Sequence, residues 1–98
     1  GGLKINDPAI DLAVISAILS SNLDLEIRKG ICLAGEVGLS GEIRPVSRIE
    51  QRIAEAEKLG FEQIILPEHN YQSLTKHNYK IKLLPVKKTE EAFKILFT

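Results

Sequence analysis

The chain has 98 residues, of which 44% are hydrophobic and 27% are charged, a composition typical of one small globular domain and not of a disordered tail. Its 13 basic and 13 acidic residues balance, so no overall charge attracts nucleic acid or membranes, and a nucleic-acid role would need a local basic patch. The single cysteine, Cys32, excludes an intrachain disulfide and fits a reducing cytoplasm, where we interpret it as a small core residue.

The sequence predicts one domain over residues 1–98, with no repeat, linker, signal peptide or membrane span. The longest apolar run, residues 12–19, is interrupted by Ser16 and is too short to cross a bilayer. We therefore expect a cytoplasmic protein with no membrane partner.

The first third of the chain predicts a short strand followed by a buried helix. Residues 1–6 consist of two glycines followed by an alternating run at Leu3, Lys4 and Ile5, which indicates a short strand. Asp7 is the predicted N-cap and Pro8 the first helical residue, where its missing N–H costs nothing. Residues 9–19 are almost entirely apolar, so this helix should be buried on several sides, with Asp11 at the positive end of the helix dipole.

The middle of the chain predicts two strands joined by a tight turn. Residues 31–37 form one strand that begins with a continuous apolar run, which indicates burial on both faces. Residues 38–41 form the turn, and residues 42–46 the second strand. Pro45 has no N–H to donate, so this strand either lies at an edge or ends there.

A helix is predicted next, over about residues 47–59. Ser47 is its predicted N-cap, and Gly60 closes it in the left-handed conformation. The period of the helix gives it a buried stripe formed by Ile49, Ile53 and Ala56.

Residues 62–67 predict a further buried strand, stopped by Pro67. A polar loop with a helical turn or two follows over residues 68–78, then a strand over residues 81–86. Thr89 opens a final short helix whose apolar side is Ala92, Phe93, Leu96 and Phe97. Alternating strands and helices indicate an α/β domain.

Two motifs carry a resemblance to a known family. The stretch at residues 35–61, GEVGLSGEIRPVSRIEQRIAEAEKLGF, and the upstream run GGLKINDPAIDLAV occur in the order found in the C-terminal Lon-protease-like domain of the bacterial RadA (Sms) DNA repair family. The resemblance implies the α/β fold of the Lon proteolytic domain, which is ribosomal-protein domain-2-like. Such domains include further strands before GGLKIN, so we expect the chain to be the C-terminal part of one, truncated at its N-terminal side.

The resemblance also implies that peptidase chemistry is absent. Lon proteases use a serine activated by a lysine, which must lie within hydrogen-bond reach of each other. The alignment with their motifs places Ala9 at the serine position and Glu50 at the lysine position. A methyl group cannot attack a carbonyl, and a carboxylate cannot act as the amine does. The alternative of a serine-lysine peptidase fragment is therefore disfavoured.

Other candidate sites carry weaker signals. His69 and His77 could be imagined as metal ligands, but no cysteine or acidic cluster supplies the remaining ligands, and we interpret them as surface residues. Gly35, Gly38 and Gly41 do not form a dinucleotide fingerprint and are interpreted as turn glycines. No Walker lysine motif is present, so the chain is not expected to bind ATP.

Three arginines are the candidate DNA-binding residues. Arg48 and Arg52 lie one turn apart on the predicted helix, and Arg44 precedes them on the strand, so their guanidinium groups could converge on a phosphate. The competing interpretation is that Arg48 forms an ion pair with Glu55 or with a carboxylate of a neighbouring subunit. The sequence leaves both interpretations open.

The family resemblance implies a larger machine around this domain. RadA proteins resemble RecA-type ATPases with an N-terminal zinc finger, assembled as hexameric rings that process branched DNA in recombinational repair. ATP, magnesium and zinc would then belong to segments absent from this chain, which itself would need no cofactor. We expect DNA and further copies of the same protein as partners; the alternative is a purely structural oligomerisation domain without DNA contact.

Overall fold

A computed structural model describes residues 10–11, 30–75 and 78–97. Within these ranges the chain forms two three-stranded sheets and three helices, which confirms the predicted α/β class. In chain order the elements are β1 (Ile10–Asp11), β2 (Ile31–Leu33), β3 (Glu36–Val37), β4 (Ile43–Arg44), α1 (Ile49–Lys58), β5 (Gln63–Pro67), α2 (Glu68–Gln72), β6 (Lys82–Val86) and α3 (Thr89–Leu96).

The parallel sheet has the order β2-β5-β6 and separates two apolar clusters. Ile31 and Ile65 face a cluster that includes residues of α3, whereas Ile64 and Leu66 face one that includes residues of α1. On the central strand, Ile64, Ile65 and Leu66 are all 0% exposed. The prediction that the run beginning at Ile31 is covered on both faces is confirmed, because its side chains alternate between the two clusters.

The strand predicted over residues 31–37 is two strands in two different sheets. The N–H of Ala34 still donates to the carbonyl of Ile65 at 2.9 Å, and the chain then leaves the parallel sheet. After Gly35, β3 joins the antiparallel sheet, whose order is β1-β3-β4. A run of apolar residues without alternation cannot reveal such a change of sheet, because the side chains are buried on both sides of the break.

The helix predicted over residues 9–19 is wrong at Ile10 and Asp11. These two residues form β1 and pair with Val37 and Glu36 of β3 in antiparallel register. The residues Asp7 and Pro8 favour a helix locally, but pairing with a strand distant in sequence determines the conformation of Ile10 and Asp11. The rest of that predicted helix, and the strand predicted over residues 1–6, lie outside the described residues.

The turn between β3 and β4 is closed by its own backbone and by a glutamate. Gly41 N–H donates to the Gly38 carbonyl at 3.1 Å, and Gly38 N–H donates to the Glu42 carbonyl at 3.0 Å. The Glu42 carboxylate lies against Gly38, where a Cβ atom would overlap it. A side chain at position 38 would displace the ends of the Glu42 and Arg44 side chains. The predicted turn at residues 38–41 is confirmed.

Helix α1 begins two residues later than predicted, and its N-cap is Arg48 and not Ser47. No side chain caps its first turn, so the prediction for Ser47 is wrong. The predicted C-terminal end is confirmed: Gly60 has φ of 91°, and the N–H groups of Gly60 and Phe61 donate to the carbonyls of Glu57 and Ala56 in a Schellman motif. The buried residues of the helix are Ile49, Ile53 and Ala56, as predicted.

The C-terminal elements agree with the sequence patterns. The strands β5 and β6 begin one residue later than predicted, α2 is the helical turn expected in the polar loop, and α3 begins at Thr89. The Glu91 carboxylate accepts hydrogen bonds from the N–H groups of Lys87 and Lys88, which fixes the approach to α3. Of the helices described, none has the length and apolar character that a membrane span needs.

Candidate nucleic-acid interface

The connection from β4 to α1 is held by one buried side chain. The Oδ1 of Asn70 accepts a hydrogen bond from Val46 N–H at 2.9 Å, and its Nδ2 donates to the Val46 carbonyl at 3.0 Å. Asn70 is 7% exposed and lies in α2. Its amide thus satisfies both backbone groups of Val46 where Pro45 has ended the strand.

Arg48 adopts a left-handed backbone conformation at the start of α1, with φ of 56° and ψ of 44°. It is the one non-glycine residue with positive φ in the described part of the chain. A side chain with a Cβ atom is disfavoured there by about 1–2 kcal/mol. The Arg48 side chain is exposed, and within residues 30–75 and 78–97 it forms no ion pair, with Glu55 or any other carboxylate.

Arg52 lies one turn further along α1. Its backbone N–H donates to the Arg48 carbonyl at 3.1 Å, and its Nε donates to the Ser47 carbonyl at 3.0 Å. The Nε bond fixes the plane of the guanidinium, and no acceptor in the described ranges contacts its two terminal nitrogens. Those nitrogens are therefore available to an external acceptor such as a phosphate oxygen.

Arg48 and Arg52 border the same shallow depression, of about 310 Å³. Its other lining residues are Ser47, Gln51 and Glu55. Two guanidinium groups on one exposed surface can hold a phosphate, while the Glu55 carboxylate at the rim opposes one. We call Arg48 and Arg52 the guanidinium pair.

Arg44 occupies a different setting. Its Nε and Nη2 donate to the Oε2 of Glu42 at 3.1 and 3.0 Å, and Glu42 Oε1 accepts the N–H of Ser40. The backbone N–H of Glu42 itself and the Arg44 side chain hold the pKa of the Glu42 carboxyl below its ordinary value. Arg44 does not line the depression between Arg48 and Arg52. The structure thus brings two of the three candidate arginines together and places the third in the β3–β4 hairpin.

Glu50 lies in the first turn of α1 and is exposed. The negative charge of Glu50 affects Tyr79. The pKa of the Tyr79 hydroxyl is raised mainly by burial, and further by the charges of Glu50 and Glu57. Ala9, the other position of the expected peptidase dyad, lies outside the described residues. The neighbouring Ile10 and Asp11 form a strand and not the first turn of the predicted helix.

Cys32 is half-buried against the cluster that contains α1. Burial raises the pKa of its thiol, opposed in part by a hydrogen bond with the Leu33 backbone and by the charge of Arg52. A thiol with a raised pKa is protonated at neutral pH, so Cys32 is not an activated nucleophile.

His69 is exposed in α2, and His77 lies outside the described residues. Across the ranges that the structure describes, no three histidine, cysteine, aspartate or glutamate side chains come together in a group that could hold a metal ion.

Asn70 is the functional candidate that the sequence analysis missed. It was assigned to a polar loop, where asparagine is ordinary, and its contact with Val46 spans 24 positions of sequence. The one feature of the sequence that marks Asn70 is its position just after a buried strand that ends in Pro67. This position does not indicate which residue Asn70 contacts.

Comparison with known proteins extends the resemblance to the whole chain. The family described as the Lon protease (S16) C-terminal proteolytic domain matches residues 1–98. The chain is 53% identical to the DNA repair protein RadA of Bacillus subtilis over 76 residues, which cover 78% of this chain and 17% of that protein.

Two further relatives carry the same name. Identity to the DNA repair protein RadA of Streptococcus pneumoniae is 46% over 97 residues, covering 99% of this chain and 23% of that protein. Identity to the RadA of Listeria monocytogenes is 53% over 70 residues, covering 71% of this chain and 15% of that protein. The chain spans less than a quarter of the length of these curated relatives.

These matches confirm the Lon-like fold and the resemblance to RadA predicted from the two sequence motifs. Because the match to the family covers every residue, it includes the strands of both sheets and all three helices described above. The chain belongs to the Lon protease C-terminal proteolytic domain family and, within it, resembles the Lon-like domain of RadA.

Proposed function

We propose that this chain is the non-catalytic Lon-like domain of a RadA-type DNA repair ATPase, where it contacts DNA and supports assembly of a hexameric ring. Its relatives at about 50% identity are named DNA repair proteins. The whole protein would then act in recombinational repair, on branched DNA intermediates, in the bacterial cytoplasm.

The observation that carries the DNA-contact part of this proposal is the guanidinium pair. Arg48 and Arg52 share one exposed depression, and no carboxylate of the described residues neutralises either of them by an ion pair. Arginines that merely balanced a local acidic surface would be expected in ion pairs, as Arg44 is with Glu42. Planar, unneutralised guanidinium groups suit the oxygens of a nucleic-acid backbone.

The absence of peptidase function is proposed from residue chemistry. The position of the expected lysine holds Glu50, an exposed carboxylate in the first turn of α1. The position of the expected serine holds Ala9. ATP, magnesium and zinc would be bound by other segments of the full-length protein.

The test is DNA binding by the full-length protein with Arg48→Ala and Arg52→Ala, alone and combined. Each replacement should weaken binding to labelled single-stranded and branched DNA, measured by fluorescence anisotropy over a series of salt concentrations. Loss of one phosphate contact lowers the slope of log affinity against log salt by about 1. Glu55→Gln should have the opposite effect on affinity, because it removes a negative charge from the rim of the depression.

Lys94→Ala is the matched control, since Lys94 is exposed on α3, across the parallel sheet from α1. It removes one positive charge and should leave both affinity and slope unchanged. Arg44→Ala tests the third candidate residue and should have less effect than Arg52→Ala, because the Arg44 charge is already paired. Equal effects of Lys94→Ala and Arg52→Ala would show that only net charge matters and would refute a specific contact.

A purely structural role in oligomerisation is the second candidate. Leu39, at the tip of the hydrogen-bonded β3–β4 turn, is 80% exposed, and an exposed leucine on a fixed turn suits a protein contact. The same arginine variants separate the two functions when their assembly is measured by analytical ultracentrifugation. If the hexamer dissociates while the DNA affinity of the subunit is unaltered, the structural role is correct.

A further inference from the structure

Asn70 makes a contact that a capping or solvent-facing asparagine does not make. Both polar atoms of its side chain bond to one residue, Val46, and the amide is buried with it. A side-chain amide that pairs with the N–H and the C=O of the same residue reproduces the hydrogen bonds of a neighbouring strand. The backbone at Val46 is therefore fixed in two directions, although β4 has already ended at Arg44.

The fixed backbone at Val46 leads directly to the guanidinium pair. Ser47 follows Val46, and its carbonyl is the acceptor that holds the Nε of Arg52 at 3.0 Å. Arg48 follows Ser47 in the left-handed conformation, and its carbonyl accepts the N–H of Arg52 at 3.1 Å. Two consecutive carbonyl groups thus place Arg52, and both depend on the orientation of the chain as it leaves Val46.

We propose that Asn70 is a positioning residue for the guanidinium pair: it acts on DNA binding through Val46 and Ser47, without touching DNA. This inference rests on the proposed DNA contact of Arg48 and Arg52. Asn70 is remote from them in sequence and buried, so any effect that it has on a phosphate must pass through the segment that it holds.

The packing of α2 explains why this device is rigid. Ser73 closes the C-terminal end of the helix, with its hydroxyl donating to the Asn70 carbonyl at 2.8 Å. Leu74, just beyond, is buried in the same cluster as Ile49 and Ile53 of α1. The two helices thus share a core, and the Asn70 amide is delivered to Val46 from a packed element and not from a free loop.

The experiment measures DNA affinity and its salt dependence in the full-length protein with Asn70→Ala, with Arg48→Ala and Arg52→Ala combined, and with all three replacements. Asn70→Ala should weaken DNA binding roughly tenfold, the value of about one charge-assisted hydrogen bond, and lower the salt slope by about 1. The triple variant should bind no more weakly than the variant that lacks both arginines, because Asn70 acts through them. Full addition of the Asn70→Ala effect in the triple variant would overturn the proposal.

One control separates positioning from a general loss of stability. Leu96→Ala opens the core on the opposite face of the parallel sheet, away from Asn70 and Val46. It should lower the melting temperature and leave the salt slope unchanged. If Leu96→Ala lowers the slope as much as Asn70→Ala does, Asn70 has only a structural role.

Asn70→Asp serves where the alanine variant does not fold, as judged by circular dichroism. Aspartate retains an acceptor for the Val46 N–H but has no donor for its carbonyl, so the salt slope should again fall. An unchanged slope in a folded Asn70→Asp variant, beside a reduced slope in Arg52→Ala, overturns the positioning role alone. If Arg48→Ala and Arg52→Ala both bind DNA normally, the proposed function itself fails.

Discussion

The parallel sheet and the segment of residues 38–48 are held in place by different kinds of interaction. In the parallel sheet, three consecutive residues of β5 are 0% exposed and pack into both apolar clusters. In residues 38–48, Ile43 is the one buried apolar residue, whereas Leu39 is 80% exposed and Arg48 has a left-handed backbone. Hydrogen bonds to the Glu42 carboxylate and the Asn70 amide hold the backbone on either side of Ile43. We call residues 38–48 the polar-tethered segment.

Stability and recognition therefore depend on different parts of the fold. Burial of apolar side chains stabilises the sheet without specifying any exposed geometry. Hydrogen bonds contribute about 1 kcal/mol each but fix direction, and direction is what a surface that meets a phosphate or another protein needs. Three predictions test this difference, from the largest expected effect to the smallest.

The first compares the same substitution in both regions. Leu66→Ala should lower the free energy of unfolding by about 3 kcal/mol, because Leu66 is 0% exposed in the central strand and the replacement leaves a cavity. Leu39→Ala should change it by about 0.5 kcal/mol or less, because that side chain is exposed. Chemical denaturation measures both. If both replacements lowered the free energy of unfolding equally, Leu39 would be packed in solution and the two regions would not differ in apolar burial.

The second tests the backbone of the polar-tethered segment. Arg48→Gly should stabilise the chain by about 0.5–1 kcal/mol, because glycine adopts the left-handed conformation without the strain of a Cβ atom, partly offset by its greater freedom when unfolded. The same variant should bind DNA more weakly. Thermal unfolding and fluorescence anisotropy measure the two effects.

Ala54→Gly is the control for Arg48→Gly, because Ala54 is exposed inside α1. It should destabilise the chain by about 1 kcal/mol, the ordinary cost of glycine in a helix. A loss of stability with Arg48→Gly as well would contradict the assigned left-handed conformation.

The smallest effect concerns Lys87 and Lys88, which follow β6. The Lys87 carbonyl accepts the N–H of Ile43 at 2.8 Å and so links the two regions. Hydrogen bonds from the N–H groups of Lys87 and Lys88 lower the pKa of the Glu91 carboxyl from its ordinary value near 4.5. A lowered folded-state pKa gives stability that is present above the unfolded value and is lost as the pH falls through the folded one. Glu91→Gln should therefore reduce the melting temperature slightly at about pH 7, and this reduction should be smaller at about pH 3.

Glu90→Gln is the control for this pH dependence, because the Glu90 side chain accepts neither of these two N–H groups. It should leave the difference in melting temperature between the two pH values unchanged. A gap between wild type and Glu91→Gln that widens toward acid pH would reverse the sign and refute the assignment.

Local patterns predicted much of this fold because they depend on neighbours in sequence. The buried stripe of α1 follows from its 3.6-residue period, and its end follows from the tolerance of Gly60 for a positive φ. The cap at Ser47 was wrong for a complementary reason. Serine is a good N-cap in isolation, but the chain there is already held by the amide of Asn70, and the helix begins after a left-handed Arg48.

The sequence predicted the candidate arginines, but it did not predict which of them lie together. Helical spacing placed Arg48 and Arg52 on neighbouring positions, but it could not show that Arg44 pairs with Glu42. That ion pair joins residues two apart in an extended segment, which share one face. Strand spacing allows such a pair, but only the structure shows that Gly38 leaves room for it.

The amino-acid sequence by itself determined the α/β class, the helix positions after residue 47, the family, and the residue chemistry at Ala9 and Glu50. These properties follow from composition, periodicity and motif order, which are local. Only the tertiary structure decided that residues 31–37 divide between two sheets, that Ile10 and Asp11 join β3, and that Asn70 fixes Val46. Each of these depends on a backbone hydrogen bond to a partner distant in sequence, and the partner is chosen by how the layers pack.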